Sequence, residues 1–142
     1  MNNLTLRFAE GEPKTKDKKI VSDGLLTHHA SSGHTRITTY YSIFVINDEN
    51  KILGGIILSF LWNGMRIDSL WVDESIRSQR WGTKLIEEAE KEARKRNCSV
   101  IYTDTFSWQA PDFYKKLGYK EYGKLKDFPV GNTLTYFQKR LL

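Results

Sequence analysis

Apolar positions along this chain recur in two periods, and the switches between them mark out the elements. Leu4-Thr5-Leu6-Arg7-Phe8 alternates apolar and polar, which predicts a half-buried strand. From Ala9 to Arg36 the pattern weakens into one or two short helices around Ile20, Val21, Leu25 and Leu26, with Gly24 as a break. Ile37 to Ile46 is rich in β-branched and aromatic residues and predicts a strand. Asn47-Asp48-Glu49-Asn50 predicts a turn, and Lys51 to Leu61 an almost continuously apolar strand, buried on both faces. Within it, Gly54-Gly55 marks a bulge or a close backbone approach. Asn63-Gly64 is a two-residue hairpin signal that returns Met65 to Val72 antiparallel.

The period then changes. Trp81, Leu85, Ala89 and Ala93 recur every four residues with Ile86 beside them, so a helix opens near Gly82 and buries one stripe. Glu87–Lys91 and Glu90–Arg94 have the favourable i,i+4 order, and Arg94-Lys95-Arg96 suits the negative end of the helix dipole. Ser99 to Thr105 reads as a strand reached by a crossover helix, which implies local parallel pairing. Ser107 is the expected N-cap of a second short helix carrying Pro111 in its first turn, with Ala110, Phe113, Tyr114 and Leu117 at helical spacing and Gly118 as its stop. Tyr119 to Phe128 and Thr133 to Leu141 predict two closing strands. The reading is one mixed α/β domain over residues 1–142.

Composition narrows the partners. Hydrophobic residues at 39% fit a globular domain, and no apolar run is long enough to span a bilayer. Met1-Asn2-Asn3-Leu4-Thr5 lacks a signal-peptide pattern, and the single Cys98 precludes an internal disulfide, so a cytoplasmic setting is expected. Cys98 itself reads as a buried apolar residue. A net charge of +5 favours an anionic partner, but no helix-turn-helix, zinc-ligand or RNP-type pattern points to nucleic acid. His28, His29 and His34 lack cysteine or carboxylate companions at ligand spacing, so no metal is expected.

The candidate chemistry lies between Ile67 and Ile86, where a strand, a polar turn and a helix opening at Gly82 present unpaired N–H groups at the positive helix end. Here Val72 followed by Arg77-Ser78-Gln79-Arg80-Trp81-Gly82 is similar to the acyl-CoA loop of the GNAT superfamily of acetyl-CoA-dependent N-acetyltransferases, Arg/Gln-x-x-Gly-x-Gly/Ala. Ala110-x-x-Phe113-Tyr114-x-x-Leu117-Gly118-Tyr119 is similar to that family's Ala-x-x-x-Tyr-x-x-x-Gly-Phe/Tyr helix, and the element order from about residue 37 onward resembles it as well.

The resemblance implies a mixed, mostly antiparallel sheet of about six to seven strands with flanking helices, splayed in the middle where acyl-CoA binds. It implies acetyl-CoA as acyl donor, with Ser78 to Thr83 cradling the pyrophosphate and Leu70, Trp71 and Val72 pairing with the pantetheine amides. Ser107, Ala110 and Phe113 would border the thioester from the other side, and Tyr114 would be the acid for the departing thiolate. Asp68 and Asp104 are the candidate bases, with water as a substitute. The acceptor would be a small amine or a protein amine, walled in part by Glu10 to Arg36, with Tyr40, Tyr41 and Trp108 as pocket members. A homodimer through the C-terminal strands would suit such a fold.

Two departures stand out. Arg80 occupies the family's first glycine, where it is expected to keep an ordinary backbone and add a charged phosphate contact. Ser107 stands where the family often has Asn. With no base forced by the sequence, a non-catalytic acyl-CoA-binding module is the alternative to the enzyme.

Overall fold

The computed structural model describes residues 3–141. It divides into two compact units, one ending at Arg36 and the other beginning at Ile37.

In the first unit the expected strand does not form: residues 4–8 are irregular, with Leu4, Leu6 and Phe8 exposed. Alternation supplies a face but no partner, and a strand exists only where a neighbour takes its backbone groups. The weak helical signal resolves into one helix, α1 (Thr15–Ser31), which runs straight through Gly24. A lone glycine costs a helix only about 1 kcal/mol. Flanking it, Lys19 pairs with Asp23, and the Thr27 hydroxyl donates to the Asp23 carbonyl. No residue of α1 is buried.

The second unit holds β1 (Thr39–Ile46), β2 (Ile52–Leu61), β3 (Gly64–Val72), α2 (Trp81–Lys95), β4 (Val100–Phe106), α3 (Pro111–Lys116), β5 (Lys120–Lys126) and β6 (Thr133–Arg140). They build a six-stranded sheet in the order β1-β2-β3-β4-β6-β5, antiparallel except between β3 and β4. The core lies between the sheet and α2, where Leu85, Ile86, Ala89 and Ala93 meet Ile56, Leu58, Met65, Ile67 and Ile101. α2 thus buries the stripe its sequence marks.

β2 is buried on one face rather than both. Ile56, Leu58 and Phe60 point into the core, whereas Ile57 stays 41% exposed, as an antiparallel meander covered on one side requires. Its glycines do mark a close approach: a β-carbon at Gly55 would lie 2.8 Å from Phe44 Cδ1 and 3.2 Å from the Ile43 carbonyl. The hairpin corner falls one residue earlier than expected, at Trp62-Asn63, with Leu61 facing Gly64 and Trp62 at φ 50. Gly64 begins β3, where a β-carbon would stand 3.3 Å from the Tyr102 ring.

Three features open the middle of the sheet. β3 and β4 pair over only three positions, from Gly64 opposite Val100 to Arg66 opposite Tyr102. Immediately beyond, the β2–β3 register shifts, so that Leu58 faces Ile67, Ile57 faces Ser69, and Asp68 is the extra residue of a bulge. Thr103 Oγ1 then donates to the Ile67 carbonyl at 2.9 Å in place of a ladder bond. From there to Val72, β3 keeps its pairing with β2 but none with β4, leaving one edge of its backbone open.

Candidate active site

The chain leaves β3 through a short 3-10 turn, Glu74–Ile76, capped by Asp73, whose carboxylate accepts from the Ser75 N–H at 3.0 Å and from the Ser75 hydroxyl. Those bonds, the hydroxyl first, hold the Asp73 carboxyl below its usual range. Arg77 Nε reaches back to the Val72 carbonyl at 3.2 Å and ties the loop to the strand end. Ser78 and Arg80 then both adopt left-handed backbone, at φ 67 and φ 65. Arg80 therefore does not keep an ordinary backbone. It is the N-cap of α2 and turns the chain through a conformation that glycine adopts freely, at an expected cost of about 1–2 kcal/mol.

That turn leaves the helix mouth open. The first ladder bond runs from Lys84 N–H to the Arg80 carbonyl, and no side chain caps the helix. Helix geometry leaves the N–H groups of Trp81, Gly82 and Thr83 without intrahelical acceptors at the positive end of the dipole. Arg77 and Arg80 flank them, and Lys84 stands 4.2 Å over the Trp81 ring. A β-carbon at Gly82 would touch the Phe113 ring at 3.4 Å, so a side chain there would fill the gap between α2 and α3.

Around this mouth lies a largely apolar cavity of about 540 Å³ lined by Leu70, Trp71, Val72, Ile76, Arg77, Ser78, Arg80, Trp81, Gly82, Thr83, Gln109, Ala110 and Phe113. Two expected members are absent from its wall. Gln79 turns aside and accepts from the Trp81 indole at 3.4 Å. Ser107 does not cap α3, which begins at Pro111 with Ala110 as N-cap. Its hydroxyl instead donates to Asn132 Oδ1 at 2.9 Å, and its N–H to the Thr133 carbonyl at 3.0 Å, stitching the end of β4 to β6. Ile76 and Gln109 take part without having been foreseen. Gln109 Oε1 accepts from the Phe106 N–H at 2.8 Å, a local fold-back that carries no periodic signal.

A second, more polar cavity of about 270 Å³ fills the space between the diverging strands, lined by Ile67, Asp68, Ser69, Leu70, Thr103, Asp104, Thr105, Phe106, Gln109, Ala110 and Tyr114. Leu70, Gln109 and Ala110 belong to both cavities. Tyr114 is 5% exposed, edge-on to Phe113 and Tyr119 and stacked on Phe137. Burial pushes its phenol up to about 12, with the Asp104 charge adding to the rise and a hydrogen bond with Thr103 opposing it. It therefore stays protonated at neutral pH.

Asp68 and Asp104 face each other across the opening through one guanidinium. Arg66 Nη1 donates to Asp68 Oδ1 at 2.7 Å, and Nη2 to Asp104 Oδ2 at 3.0 Å. Ser59 Oγ also donates to Asp68 Oδ1 at 3.0 Å. The Asp68 bond leads in holding the Arg66 guanidinium above its ordinary value. Neither Tyr40, Tyr41 nor Trp108 lines either cavity. Trp108 stacks on Phe106 at 4.7 Å, and Tyr41 lies under Arg96.

An α/β domain of this kind admits an elongated ligand along the free edge of a strand and an anion at the adjoining helix mouth. Comparison with known proteins gives the class its family. The chain matches the family described as Acetyltransferase (GNAT) family over residues 11–119, and it belongs to that family. It is 31% identical over 102 residues to blasticidin-S acetyltransferase of Streptomyces morookaense, a match spanning 71% of this chain and 75% of the relative. The crystal structure of an acetyltransferase from Bacillus cereus superposes with a TM-score of 0.85 at 34% identity, covering 94% of this chain and 98% of that one. The fold is shared more distantly with aminoglycoside 6′-N-acetyltransferase complexed with coenzyme A, at a TM-score of 0.64 and 20% identity, covering 72% of this chain and 73% of that one.

Proposed function

We propose that the protein moves the acetyl group of acetyl-CoA to an amine by direct attack. The observation that carries this reading is that a cavity at the uncapped helix mouth and a cavity holding a buried neutral phenol share the wall formed by Leu70, on the free strand edge, with Gln109 and Ala110. Acetyl-CoA supplies an activated acetyl thioester. The N–H groups of Trp81 to Thr83, with Arg77 and Arg80, suit its pyrophosphate. The unpaired edge of Leu70 to Val72 suits its pantetheine amides. A backbone N–H on that edge stabilises the developing oxyanion. The first cavity is mostly apolar, which suits the pantetheine arm.

In the transfer, the neutral amine nitrogen bonds to the acetyl carbon as the carbon–sulfur bond breaks. Tyr114 gives its proton to the departing sulfur, and the nitrogen gives up one proton to Asp68, directly or through water. The proton lost by the amine replaces the one Tyr114 supplied, so the products are an acetamide and coenzyme A. Because Asp68 Oδ1 already takes two hydrogen bonds, its other oxygen is the proton acceptor in this scheme.

The deciding measurement is acetyl-CoA-dependent acetylation over a panel of amines, run beside Tyr114→Phe. The expected result is transfer by the native protein and a loss of roughly 10²–10⁴-fold in kcat in the variant. The dissociation constant for acetyl-CoA, read by calorimetry, should be unchanged. An unaltered rate would remove Tyr114 as the acid. Binding of acetyl-CoA with no acetylation anywhere in the panel would favour the non-catalytic acyl-CoA-binding module, a reading to which the engagement of Asp68 by Arg66 lends support.

A further inference from the structure

We infer that the acceptor is an organic cation with two basic nitrogens, one to be acetylated and one held in place by charge between the diverging strands. This rests on the acetyl-transfer reading and concerns the polar cavity beside Tyr114.

The walls of that cavity carry one carboxylate each, Asp68 on β3 and Asp104 on β4. Arg66 binds both, but the cavity wall carries the two aspartates and not Arg66. One cation against two anions leaves a formal charge of −1 there, in a chain whose net charge is +5. Arg66 and Ser59 occupy Asp68 Oδ1, and Arg66 occupies Asp104 Oδ2. Among the described residues, no hydrogen bond is made to Asp68 Oδ2 or Asp104 Oδ1. An ionised carboxylate only accepts, so these two oxygens suit N–H⁺ donors and repel carboxylates and phosphates.

A second nitrogen would give the acceptor an ionic contact that outlasts the proton loss. The attacking nitrogen must shed its proton before transfer, and at that moment it loses its attraction to whichever carboxylate held it. A single amine is then held by nothing ionic. A second ammonium, paired to the carboxylate on the other wall, keeps the acceptor seated through the attack.

Three four-carbon amines test this: 1,4-diaminobutane, butylamine and 4-aminobutanoate, which differ only in a distal ammonium, methyl or carboxylate. Each is titrated into the coenzyme A-loaded protein by calorimetry and assayed as acceptor with acetyl-CoA. The diamine should bind about 10-fold or more tighter than butylamine, and 4-aminobutanoate more weakly than either. Asp104→Asn should shrink the diamine advantage to less than about 3-fold, chiefly through KM. Equal binding of diamine and monoamine, or preference for 4-aminobutanoate, overturns the inference while coenzyme A binding leaves the transfer reading standing. Failure of coenzyme A to bind overturns the transfer reading, and the same amines titrated into the free protein still show whether the cavity selects a dication.

Discussion

At Arg80 the chain holds a bulky residue in the left-handed region, where glycine is at ease and most side chains are not. The position does two things at once: it turns the backbone into α2, and it sets a guanidinium beside the open N–H groups. Arg80→Gly separates them. The variant should be more stable by roughly 0.5–1 kcal/mol, seen as a higher urea midpoint at unchanged slope, because relief of the left-handed strain outweighs the extra backbone entropy that glycine gives the unfolded chain. It should also bind acetyl-CoA a few-fold more weakly, with a shallower dependence on salt, because a charge near the phosphates is lost. Equal affinity in both proteins would mean that the charge contributes nothing. Arg80 shows what local pattern conveys: the loop is recognisable from its neighbours, but the handedness of one residue depends on how the loop closes.

Among elements, α2 combines a legible face with an illegible anchor. The stripe from Trp81 to Ala93 follows from spacing alone. Of its two expected ion pairs, Glu90–Arg94 forms, at 3.9 Å, but Lys91 reaches Glu88 at 2.8 Å rather than Glu87, because neighbours at i,i+3 and i,i+4 compete on the same exposed surface. Glu90 points inward. It accepts from Tyr119 Oη at 3.0 Å and from Lys139 Nζ at 2.9 Å, and Arg94 stands 3.9 Å away. Lys139 also donates to the Leu117 carbonyl at 3.0 Å, so one carboxylate joins α2 to β6 and to the end of α3. Glu90→Ala should destabilise by about 3 kcal/mol in equilibrium unfolding, since it strands a partly buried lysine and a buried phenol together. A change below about 1 kcal/mol would mean that water replaces the carboxylate. The same logic governs the opening between β3 and β4. A strand-rich sequence announces both strands, but the bulge at Asp68 and the staple of Arg66 onto Asp104, 38 positions further on, belong to the assembled sheet.

For the molecule as a whole, two buried phenols set the alkaline limit. Tyr114 rises to about 12 and Tyr119 is raised as well, each chiefly by burial. Below about pH 10 both the folded and unfolded chains keep these groups protonated, so they add no pH dependence. As pH climbs from about 10 towards 12, the unfolded chain releases protons that the folded chain retains, and stability falls, by about 2 to 3 kcal/mol for Tyr114. Urea midpoints should hold steady up to about pH 10 and then drop, with a smaller drop in Tyr114→Phe. Identical profiles would show that Tyr114 ionises without cost when folded. The same value means that any alkaline loss of activity below pH 11 arises elsewhere than in Tyr114.

By itself the sequence determined the six strands of the second unit, the buried face of α2, the loop that opens it and the helix bearing Tyr114. Each rests on spacing within a few residues, where apolar period and turn chemistry act directly. It did not determine that residues 4–8 form no strand or that α1 continues past Gly24, because a weak local signal needs a partner to settle it. Tertiary structure alone decided the left-handed turn at Arg80, the removal of Gln79 and Ser107 from the cavity wall, and the entry of Gln109. It also placed Asp68 and Asp104 on opposite walls of one cleft. The placing of Ser107, Asp68 and Asp104 depends on groups far apart in the chain meeting across a sheet that splays, while Gln79 and Gln109 are set by short fold-backs that carry no periodic signal.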